Sequence, residues 1–518
     1  MGINTKSLRA GLYLLAVFML SLCLACGGKA EKESLPPSTC GPDNAARETA
    51  WTIMVYMDAD NSLETAAMED INEMKRGMTD GLGVNLLVLI DRTPLYTADS
   101  SELGEDFSGT RLYRINHGTA TWICADSAFP EAAGPYEGEV NMGDAATLKK
   151  FVRYSKTQYP AGKYALILWN HGNGVRDPVI YQEEDIVTRS ICEDISSGSD
   201  VIYTGEITDI LTSSESVDFI GFDACMMGSL EVAYQLRPGN GSFNAQVMVA
   251  SPANEGSYGW PYHTILQRFK TGGGSNGETE TITGGTEPYY DPQSMSAAEL
   301  GRIVVEEYRD ATCAYGDQTM SCYDLTQAAT VKSAVDALAV ELVSEKADFE
   351  TYIRGSGSSP IALHYFNASK TDEWISLPYF DIYDVARRIN ADTSHFGSTA
   401  RTKAQGVQDA VEGMIFYSYA GSSYSGFIMG KNGLSIFCTD GDALYQDKDG
   451  DINPHWAYQW WYNPLDTKSV LGSSYLYGKL TFCTGGTTPS SVENWFELLD
   501  SWFDYANGLS GGYNRYQW

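Results

Sequence analysis

The sequence predicts an α/β protein with a doubly wound, mostly parallel sheet flanked by helices, followed by a C-terminal α+β extension. Short apolar, β-branched runs alternate with amphipathic helical segments at the spacing of strand–helix–strand units. The runs are almost continuously apolar, as VNLLVLIDR at 84–92 shows, which is typical of strands buried on both faces. With 518 residues, of which 43% are hydrophobic, the chain can bury a large core.

Strand and helix patterns follow one another along the first half of the chain. Asn61 and Glu64 fit a capping box at the start of the first helix, which follows the first strand. A strand, a turn and a helix are predicted in succession within 217–236. The other predicted strands lie at 51–57, 84–92, 163–174 and 246–256, and the other predicted helices at 143–160 and 205–214.

Composition divides the folded part of the chain into four segments. We expect 50–270 to form the core of the fold, 271–298 a loop rich in Gly, Ser and Thr, and 299–440 the helices and strand that complete the domain. An aromatic-rich region follows at 441–518. In this second half, helices are predicted at 296–311, 326–349 and 491–507, and a strand at 432–439.

The N-terminus predicts export. Residues 1–26 contain two basic residues, an apolar run and then small residues, so they resemble a lipoprotein signal peptide in which Cys26 is lipidated. Such signals usually carry Leu where this chain has Cys23. The alternative is an ordinary secretory signal in which the cysteine at 26 is incidental.

A polar segment containing prolines, 27–49, predicts a flexible tether between an anchor and the folded body. We therefore expect an exported bacterial lipoprotein at the outer membrane or cell surface, or one that faces the periplasm. Its N-terminal acyl chains would bind the lipid bilayer.

The charge of the chain excludes one class of partner. Its formal net charge is −32, so it repels the phosphate backbone, and we expect no nucleic-acid binding. An acidic surface serves solubility, and it could also attract basic peptides.

Ten cysteines are present, and eight remain outside the signal segment. Export permits disulfides, and Cys313 and Cys322 are close enough in sequence to form one. No cysteine or histidine cluster has the spacing of a structural zinc site, so we expect no zinc.

Two potentially reactive residues follow apolar strands. WNHGNG places His171 after one strand, and FDACMMG places Cys225 after another, directly before a predicted helix. Ligands of open α/β sheets bind beyond the carboxyl ends of the strands, so the two residues, although 54 positions apart, can meet there. A cysteine at a helix N-terminus is expected to have a lowered pKa. Taken singly, a strand-end histidine and a buried core cysteine are the commoner interpretations.

These segments resemble the clostripain family of cysteine peptidases, which shares the caspase-like fold with caspases, gingipains and legumain. The resemblance covers about residues 51–465. The HG and DAC motifs occur in the right order, each after an apolar strand. The matching stretches are IMVYMDADNSLE (53–64), LILWNHGNG (166–174), VDFIGFDACMMGSLEVAYQL (217–236) and VASPANEGSYGWPY (249–262).

The resemblance implies a cysteine endopeptidase acting on protein or peptide substrates. His171 would be the general acid/base, Cys225 the nucleophile, and the backbone N–H groups of Gly172 and Cys225 the oxyanion hole. Asp60 and Asn61 also match the family, although helix capping is the favoured explanation for them over a direct role.

The resemblance also implies cleavage after Arg or Lys, through acids in the substrate pocket. Asp223, Glu255 and Trp260 are the candidate substrate-binding residues; the alternatives are a strand-end turn for Asp223 and core packing for Trp260. The segment departs from the family pattern, because Ala253 or Tyr258 stands where relatives carry Asp.

Family members are often zymogens cut between the histidine and cysteine segments. Arg189 and Arg176 lie in that stretch and are candidate self-cleavage sites, and we expect the cut after Arg189.

The sequence requires no cofactor, but the resemblance makes calcium a candidate because clostripain depends on it. Candidate acids include Asp91 and the run Glu183, Glu184 and Asp185, without EF-hand spacing. The segment DKDGDINPH at 447–455 resembles half of a calcium loop but lacks the closing Glu, so a polar turn is the alternative.

Two rival functions use the same sequence features. One is a surface-binding lipoprotein with a degenerate peptidase fold, in which aromatic clusters such as 455–462 bind glycan or protein. The presence of both Cys225 and His171 argues against it. The other is a different acyl transfer, such as ligation or amide hydrolysis.

Overall fold

A computed structural model gives the fold of the chain from Thr49 onward, and the residues it describes lie in a single compact unit spanning 38–518. The predicted signal peptide, its lipidation site Cys26 and almost all of the predicted tether lie outside the described residues. The described residues are 49–93, 103, 107–123, 138–175, 191–256, 258–274, 288–354, 361–365, 378–438, 444–446, 452–454, 477–487 and 491–501.

Fifteen strands are assigned within these ranges. They are β1 (Thr49–Ala59), β2 (Val84–Arg92), β3 (Gly109–Asn116), β4 (Thr119–Trp122), β5 (Ala161–Trp169), β6 (Ile191–Asp194), β7 (Asp200–Ile202), β8 (Val217–Asp223), β9 (Ala245–Ala250), β10 (Thr319–Asp324), β11 (Tyr379–Asp381), β12 (Ile415–Ala420), β13 (Ser435–Phe437), β14 (Leu444–Gln446) and β15 (Ile452–Pro454).

The helices assigned in the same ranges number eleven. They are α1 (Glu64–Gly77), α2 (Ala145–Gln158), α3 (Thr204–Ile210), α4 (Leu230–Leu236), α5 (Tyr262–Gln267), α6 (Ala297–Thr312), α7 (Ala328–Leu342), α8 (Lys346–Arg354), α9 (Ile382–Ala391), α10 (Ser398–Met414) and α11 (Trp495–Asp500).

Nine of the strands form one sheet in the order β12-β10-β9-β8-β5-β1-β2-β3-β4. The five central strands, β9, β8, β5, β1 and β2, are parallel to one another. Antiparallel pairs extend the sheet on both sides, with β3 and β4 next to β2, and β10 and β12 next to β9. The doubly wound, mostly parallel sheet predicted from the sequence is confirmed.

Helices cover both faces of the sheet and create two hydrophobic cores. Residues of β1 alternate between them: Ile53 and Val55 pack into one core, and Met54 and Tyr56 into the other. The first core contains residues of α1, α5 and α6. The second, larger core contains residues of α2, α4, α7, α10 and α11. Burial on both faces explains why the central strands are apolar almost throughout.

The outer strands were not predicted, because charged residues interrupt their apolar pattern. β3 contains Arg111, whose guanidinium lies 4.0 Å from the ring centroid of Phe107 and 4.2 Å from that of Trp122. The aromatic rings cover this cation, so Arg111 is buried within a strand. β10 and β12 are short and antiparallel to their neighbours, and half of the positions in each are Ser, Thr or Tyr.

Two local predictions were wrong. Leu63, rather than Asn61, is the N-cap of α1, and Glu64 pairs with the buried Arg92 guanidinium at 2.7 Å instead of closing a capping box. Cys313 and Cys322 are both free thiols, because Cys322 is buried in β10 whereas Cys313 is exposed after α6.

The C-terminal part forms small elements that are separate from the nine-stranded sheet. The strand predicted at 432–439 is β13, which pairs with β11 in a separate two-stranded sheet. The helix predicted at 491–507 begins only at Trp495, where the Asn494 side chain caps it, and residues beyond 501 lie outside the description. None of the helices in the described ranges combines the length and the apolar character needed to cross a membrane.

Candidate active site

The site lies where two neighbouring parallel strands end. In the pairing of β5 with β8, Trp169 stands opposite Asp223, and the Asn170 N–H donates to the Asp223 carbonyl oxygen at 3.3 Å. His171 and Cys225 each follow two residues later, on strands that run about 4.8 Å apart. Both residues line a cavity of about 170 Å³, together with Asp223 and Glu255. The structure therefore brings together two residues that are distant in sequence.

Hydrogen bonds hold the His171 segment from two directions. The Asn170 side chain accepts a hydrogen bond from the His171 N–H and donates to the carbonyl oxygen of Asp58 (3.0 Å) and to its carboxylate Oδ2 (2.9 Å). The imidazole Nε2 lies 3.1 Å from the hydroxyl Oγ of Ser62. Burial lowers the pKa of His171 below its ordinary value, so the imidazole is neutral at pH 7.

Cys225 lies in a tight turn rather than at a helix N-terminus. The next helix, α4, begins only at Leu230. Met226 has a φ of +58°, an unfavourable conformation for a residue with a side chain, and its N–H donates to the Ala253 carbonyl at 2.9 Å. The backbone N–H of Glu255 donates to Cys225 Sγ at 3.1 Å.

The expected lowering of the thiol pKa was wrong. Burial, opposed in part by the Glu255 N–H, raises the pKa of Cys225 to about 12. The nearby acidic charges of Glu255 and Asp223 contribute to this rise, because they disfavour a thiolate. The free site therefore holds a neutral thiol beside a neutral imidazole.

Gly172 packs directly against the backbone of the nucleophile segment. A Cβ atom at position 172 would lie 2.5 Å from the Cys225 carbonyl oxygen and 3.1 Å from its backbone nitrogen. Only glycine tolerates this approach. Gly172, which follows His171, therefore lies with its backbone beside that of Cys225. Gly172 and Cys225 thus lie together, as the oxyanion-hole prediction requires.

Asp223 is buried behind the cavity and fully engaged in hydrogen bonds. Its carboxylate accepts the Trp260 N–H at 3.1 Å and the Tyr262 hydroxyl at 2.8 Å. Burial raises the pKa of Asp223 to about 7, although both hydrogen bonds lower it. Asp223 therefore both anchors the segment after Gly259 and contributes to the cavity.

Glu255 has weaker partners. Both of its carboxylate oxygens are buried and form no hydrogen bond of good geometry in the described part of the chain, although the Ala224 backbone N–H and the Trp260 indole N–H lie near enough to lower its pKa. Burial, followed by the charge of Asp223, raises the pKa of Glu255 well above its usual range. An unsatisfied buried carboxylate is costly, so this one favours a cationic ligand in the cavity.

Trp260 does not contact the cavity. Its side chain is fully buried and packs on Gly221, where an added Cβ would lie 2.5 Å from the indole ring. Core packing therefore accounts for most of this side chain, while its backbone N–H serves the site through Asp223 and its indole N–H approaches Glu255.

Asp70 was missed by the sequence analysis. It is buried on α1, accepts the Trp169 indole N–H at 2.7 Å, and lies beside Asp223 at Gly259, where an added Cβ would stand 3.4 Å from the Asp70 carboxylate. Burial, followed by the charge of Asp223, raises its pKa well above the usual range. The sequence could have indicated that Asp70 is buried, because it lies on the same helix face as the apolar residues Ala67, Ile71 and Met74.

Some predicted residues cannot be placed. The candidate self-cleavage sites Arg176 and Arg189, and the acids Glu183, Glu184 and Asp185, lie outside the described residues. So do 447–451 in the possible calcium loop, which separates the antiparallel strands β14 and β15, and the aromatic cluster at 455–462.

Comparison with known proteins agrees with this geometry. The sequence profile of the Clostripain family matches residues 55–502. The chain belongs to the clostripain family. It is 45% identical over 487 residues to clostripain from Hathewaya histolytica, covering 92% of this chain and 91% of that protein. It is therefore a cysteine endopeptidase.

One solved structure agrees on the fold, and a second is less similar. An inactive protease zymogen from Parabacteroides distasonis, 18% identical, superposes with a TM-score of 0.50 over 76% of this chain and 93% of that one. A secreted cysteine protease from Bacteroides thetaiotaomicron, in complex with an irreversible peptide inhibitor, is 19% identical, with a TM-score of 0.45 over 76% and 93%. The caspase-like fold expected of the clostripain family is confirmed by the zymogen.

We predict that Gly172→Ala lowers kcat about 100-fold or more, because the new Cβ displaces the Cys225 backbone from the position of an oxyanion donor. Steady-state peptide hydrolysis measures this loss. Gly162→Ala is the matched control on the same strand, since its Cβ would meet nothing closer than the Ala50 carbonyl at 3.6 Å. Equal activity of the two variants would contradict the prediction.

Proposed function

We propose that this chain hydrolyses peptide bonds with Cys225 as nucleophile and His171 as general acid/base. The observation that carries the proposal is the strand-end arrangement, in which the β5–β8 register sets both residues in one cavity. The backbone N–H groups of Gly172 and Cys225 serve as the oxyanion donors, and their close packing supports this role.

The neutral resting pair determines how the reaction begins. As Cys225 Sγ attacks the scissile carbonyl carbon, its proton moves to the imidazole of His171, so charge separates only when substrate is present. The carbonyl oxygen becomes an oxyanion held by the two backbone donors. The imidazolium then protonates the leaving amine, and a thioester remains. Water, deprotonated by His171, hydrolyses the thioester and restores the thiol.

The cavity is proposed to accept the side chain of Arg or Lys before the scissile bond. Asp223, Glu255 and Asp70 place three buried carboxyl groups in and behind it, and the two Glu255 oxygens form no hydrogen bond of good geometry among the described residues. A guanidinium would give Glu255 charge-assisted hydrogen bonds and relieve the repulsion among the acids. Glu255 would thus supply the negative charge that is missing where Ala253 or Tyr258 replaces the Asp of relatives.

Export and membrane anchoring are part of the same proposal. The basic residues, apolar run and Cys26 of the N-terminus fit a lipoprotein signal. The similar protease from Bacteroides thetaiotaomicron is secreted. A peptidase anchored outside the cytoplasm would meet protein substrates directly at the cell envelope.

Maturation is proposed to occur by self-cleavage after Arg189, with Arg176 as a second site. The described chain ends at Val175 and resumes at Ile191, and Ile191 forms a bridge with Gly172, next to His171. A cut after Arg189 would make Ser190 a new N-terminus, one residue before Ile191 in this bridge. The solved protein from Parabacteroides distasonis is a zymogen, which supports an inactive precursor here.

We predict that Glu255→Gln lowers kcat/KM for a peptide with Arg before the scissile bond by about 10- to 100-fold, since a charge-assisted hydrogen bond is lost. A matched peptide with Met in that position changes less than about threefold. Glu69→Gln, an exposed residue of α1, is the control for the change of charge. The measurement is cleavage of a peptide panel by wild type, both variants and Cys225→Ala.

Two outcomes of that panel would count against the proposal. Hydrolysis of any peptide by Cys225→Ala at the wild-type rate would exclude the nucleophile. An equal loss for Arg and Met peptides in Glu255→Gln would exclude the specificity while leaving the nucleophile intact.

For maturation, we predict that Cys225→Ala stays a single chain, whereas wild type yields fragments with a new N-terminus at Ser190. Arg189→Ala should slow or redirect the cut, and mass spectrometry of the intact protein identifies the ends. Fragments of the same mass from Cys225→Ala, expressed in the same host and purified identically, would show that another protease makes the cut.

A further inference from the structure

Two exposed tyrosines stack on each other beside the active-site cavity. Tyr258 is 68% exposed and Tyr315 is 45% exposed, and their ring centroids lie 5.8 Å apart with an interplanar angle of 23°. The Tyr258 hydroxyl, close to that of Tyr315, raises the pKa of Tyr315. Aromatic rings usually bury large apolar areas in cores and interfaces, whereas this pair leaves its apolar surface in water.

The topology of the sheet brings the two tyrosines to the edge at which the active site lies. Tyr258 follows β9, and Tyr315 precedes β10, which runs antiparallel to β9 with Ser321 opposite Ala250. The end of β9 and the start of β10 therefore lie at the same edge of the sheet. Because β9 is parallel to β8, Cys225 follows β8 at this same edge.

Both loops that carry the tyrosines are held by tertiary contacts. The buried side chain of Gln318 accepts the Gly256 N–H at 2.9 Å and the Tyr308 hydroxyl at 2.7 Å. The Tyr315 backbone packs on Gly421, where an added Cβ would lie 2.7 Å from the Tyr315 carbonyl oxygen. The backbone under each ring is thus in place before a ligand arrives, which lowers the entropy cost of binding.

Tyr258 belongs to a turn that forms one wall of the cavity. Gly256 and Gly259, which precede and follow it, line the cavity together with Cys225, and the Gly259 N–H donates to the Gly256 carbonyl at 3.1 Å. The Glu255 backbone contacts the nucleophile twice, since its N–H lies 3.1 Å and its carbonyl oxygen 3.5 Å from Cys225 Sγ. A peptide attacked by this sulfur would therefore pass along the segment that carries Tyr258.

We propose that Tyr258 and Tyr315 form a subsite for an aromatic or large aliphatic side chain of the substrate, close in sequence to the basic residue that fills the cavity. This inference rests on the proposed function. Successive residues of an extended peptide are about 3.3 Å apart, so a residue one or two positions from the basic one reaches the rim of the cavity. Its side chain would cover the tyrosine rings and remove apolar surface of both molecules from water.

The charge of the site favours an apolar side chain on the tyrosines over a second cation. A cation can also bind to the face of a tyrosine ring. However, the buried carboxyl groups of Asp223 and Glu255 lie in the cavity itself, where a cationic side chain gains the stronger, desolvated interaction. The basic residue therefore occupies the cavity, and the exposed rings are left for an apolar neighbour.

A panel of peptides with one Arg tests the subsite. The two positions before Arg and the one after it carry Phe, Leu, Ala or Lys in turn, and kcat/KM is measured with wild type. Phe should exceed Ala by about tenfold at one of these positions, at the lower end for apolar specificity contacts because the subsite is open to solvent. Leu should lie between them, and Lys should not exceed Ala.

Variants connect this preference to the two rings. Tyr258→Ala and Tyr315→Ala should each lower kcat/KM for the Phe peptide by about three- to tenfold, and for the Ala peptide by less than about twofold. Tyr258→Phe should keep the preference, since the ring and not the hydroxyl makes the contact. Phe416→Ala is the control, because this exposed ring on β12 lies beside the end of β10 remote from Tyr315.

Binding of the same peptides to Cys225→Ala, measured by fluorescence anisotropy, gives a readout without chemistry. The Phe peptide should bind more tightly than the Ala peptide, and Tyr258→Ala in the same background should abolish the difference. Equal kcat/KM for Phe and Ala at every position, or a preference for Lys over Phe, would overturn the subsite. An equal loss for both peptides in the tyrosine variants would show that the rings are structural only.

These outcomes differ from a failure of the proposed function. Each of them leaves cleavage by Cys225 and the role of the cavity unchanged. A wild type that cleaves no peptide, while the Phe peptide still binds Cys225→Ala more tightly than the Ala peptide, would contradict the peptidase assignment and support the subsite.

Discussion

The parallel pairing of β5 with β8 is the constraint on which the active site depends. It sets Trp169 opposite Asp223, so both strands end together. His171 and Cys225 follow them at the same edge of the sheet. Because side chains alternate along a strand, a slip of one residue would exchange the faces of the sheet. Buried residues such as Leu168 and Phe222 oppose that slip, since it would move them from the core that they fit into the core on the opposite face. The catalytic geometry is therefore a consequence of core packing.

The same edge concentrates uncompensated negative charge. Asp223 and Glu255 share one cavity, Asp70 lies behind it, and each carboxyl has a raised pKa because burial disfavours its ionised form. Burial, assisted by these acids, keeps the Cys225 thiol protonated in the free protein. We infer that a basic substrate residue both fills the pocket and removes part of the electrostatic obstacle to forming a thiolate.

The central strands and the two reactive residues could be predicted because each depends on a short stretch of sequence. Apolar runs identify strands buried on both faces, and His171 and Cys225 directly follow two of them. The outer strand β3, the cap of α1, the thiol pKa and the roles of Ser62 and Asp70 depend on tertiary contacts that the local sequence does not show. Arg111 interrupts the apolar pattern of the outer strand β3, and it can be buried there only because aromatic rings cover it. Leu63 is the N-cap of α1 in place of Asn61, and Glu64 pairs with Arg92. The thiol pKa depends on acids from other segments, and the roles of Ser62 and Asp70 arise from residues 99 to 109 positions away.

The most direct test of the catalytic assignment is the position at which a peptide chloromethyl ketone ending in Arg alkylates the chain. Peptide mapping by mass spectrometry should find the peptide on Cys225, at one per chain, and the exposed thiol of Cys313 should stay unmodified although it reacts with iodoacetamide. His171→Ala should slow the labelling of Cys225 by about 100-fold or more. Alkylation of Cys313 in preference to Cys225, or labelling of Cys225 at the same rate without His171, would contradict the account.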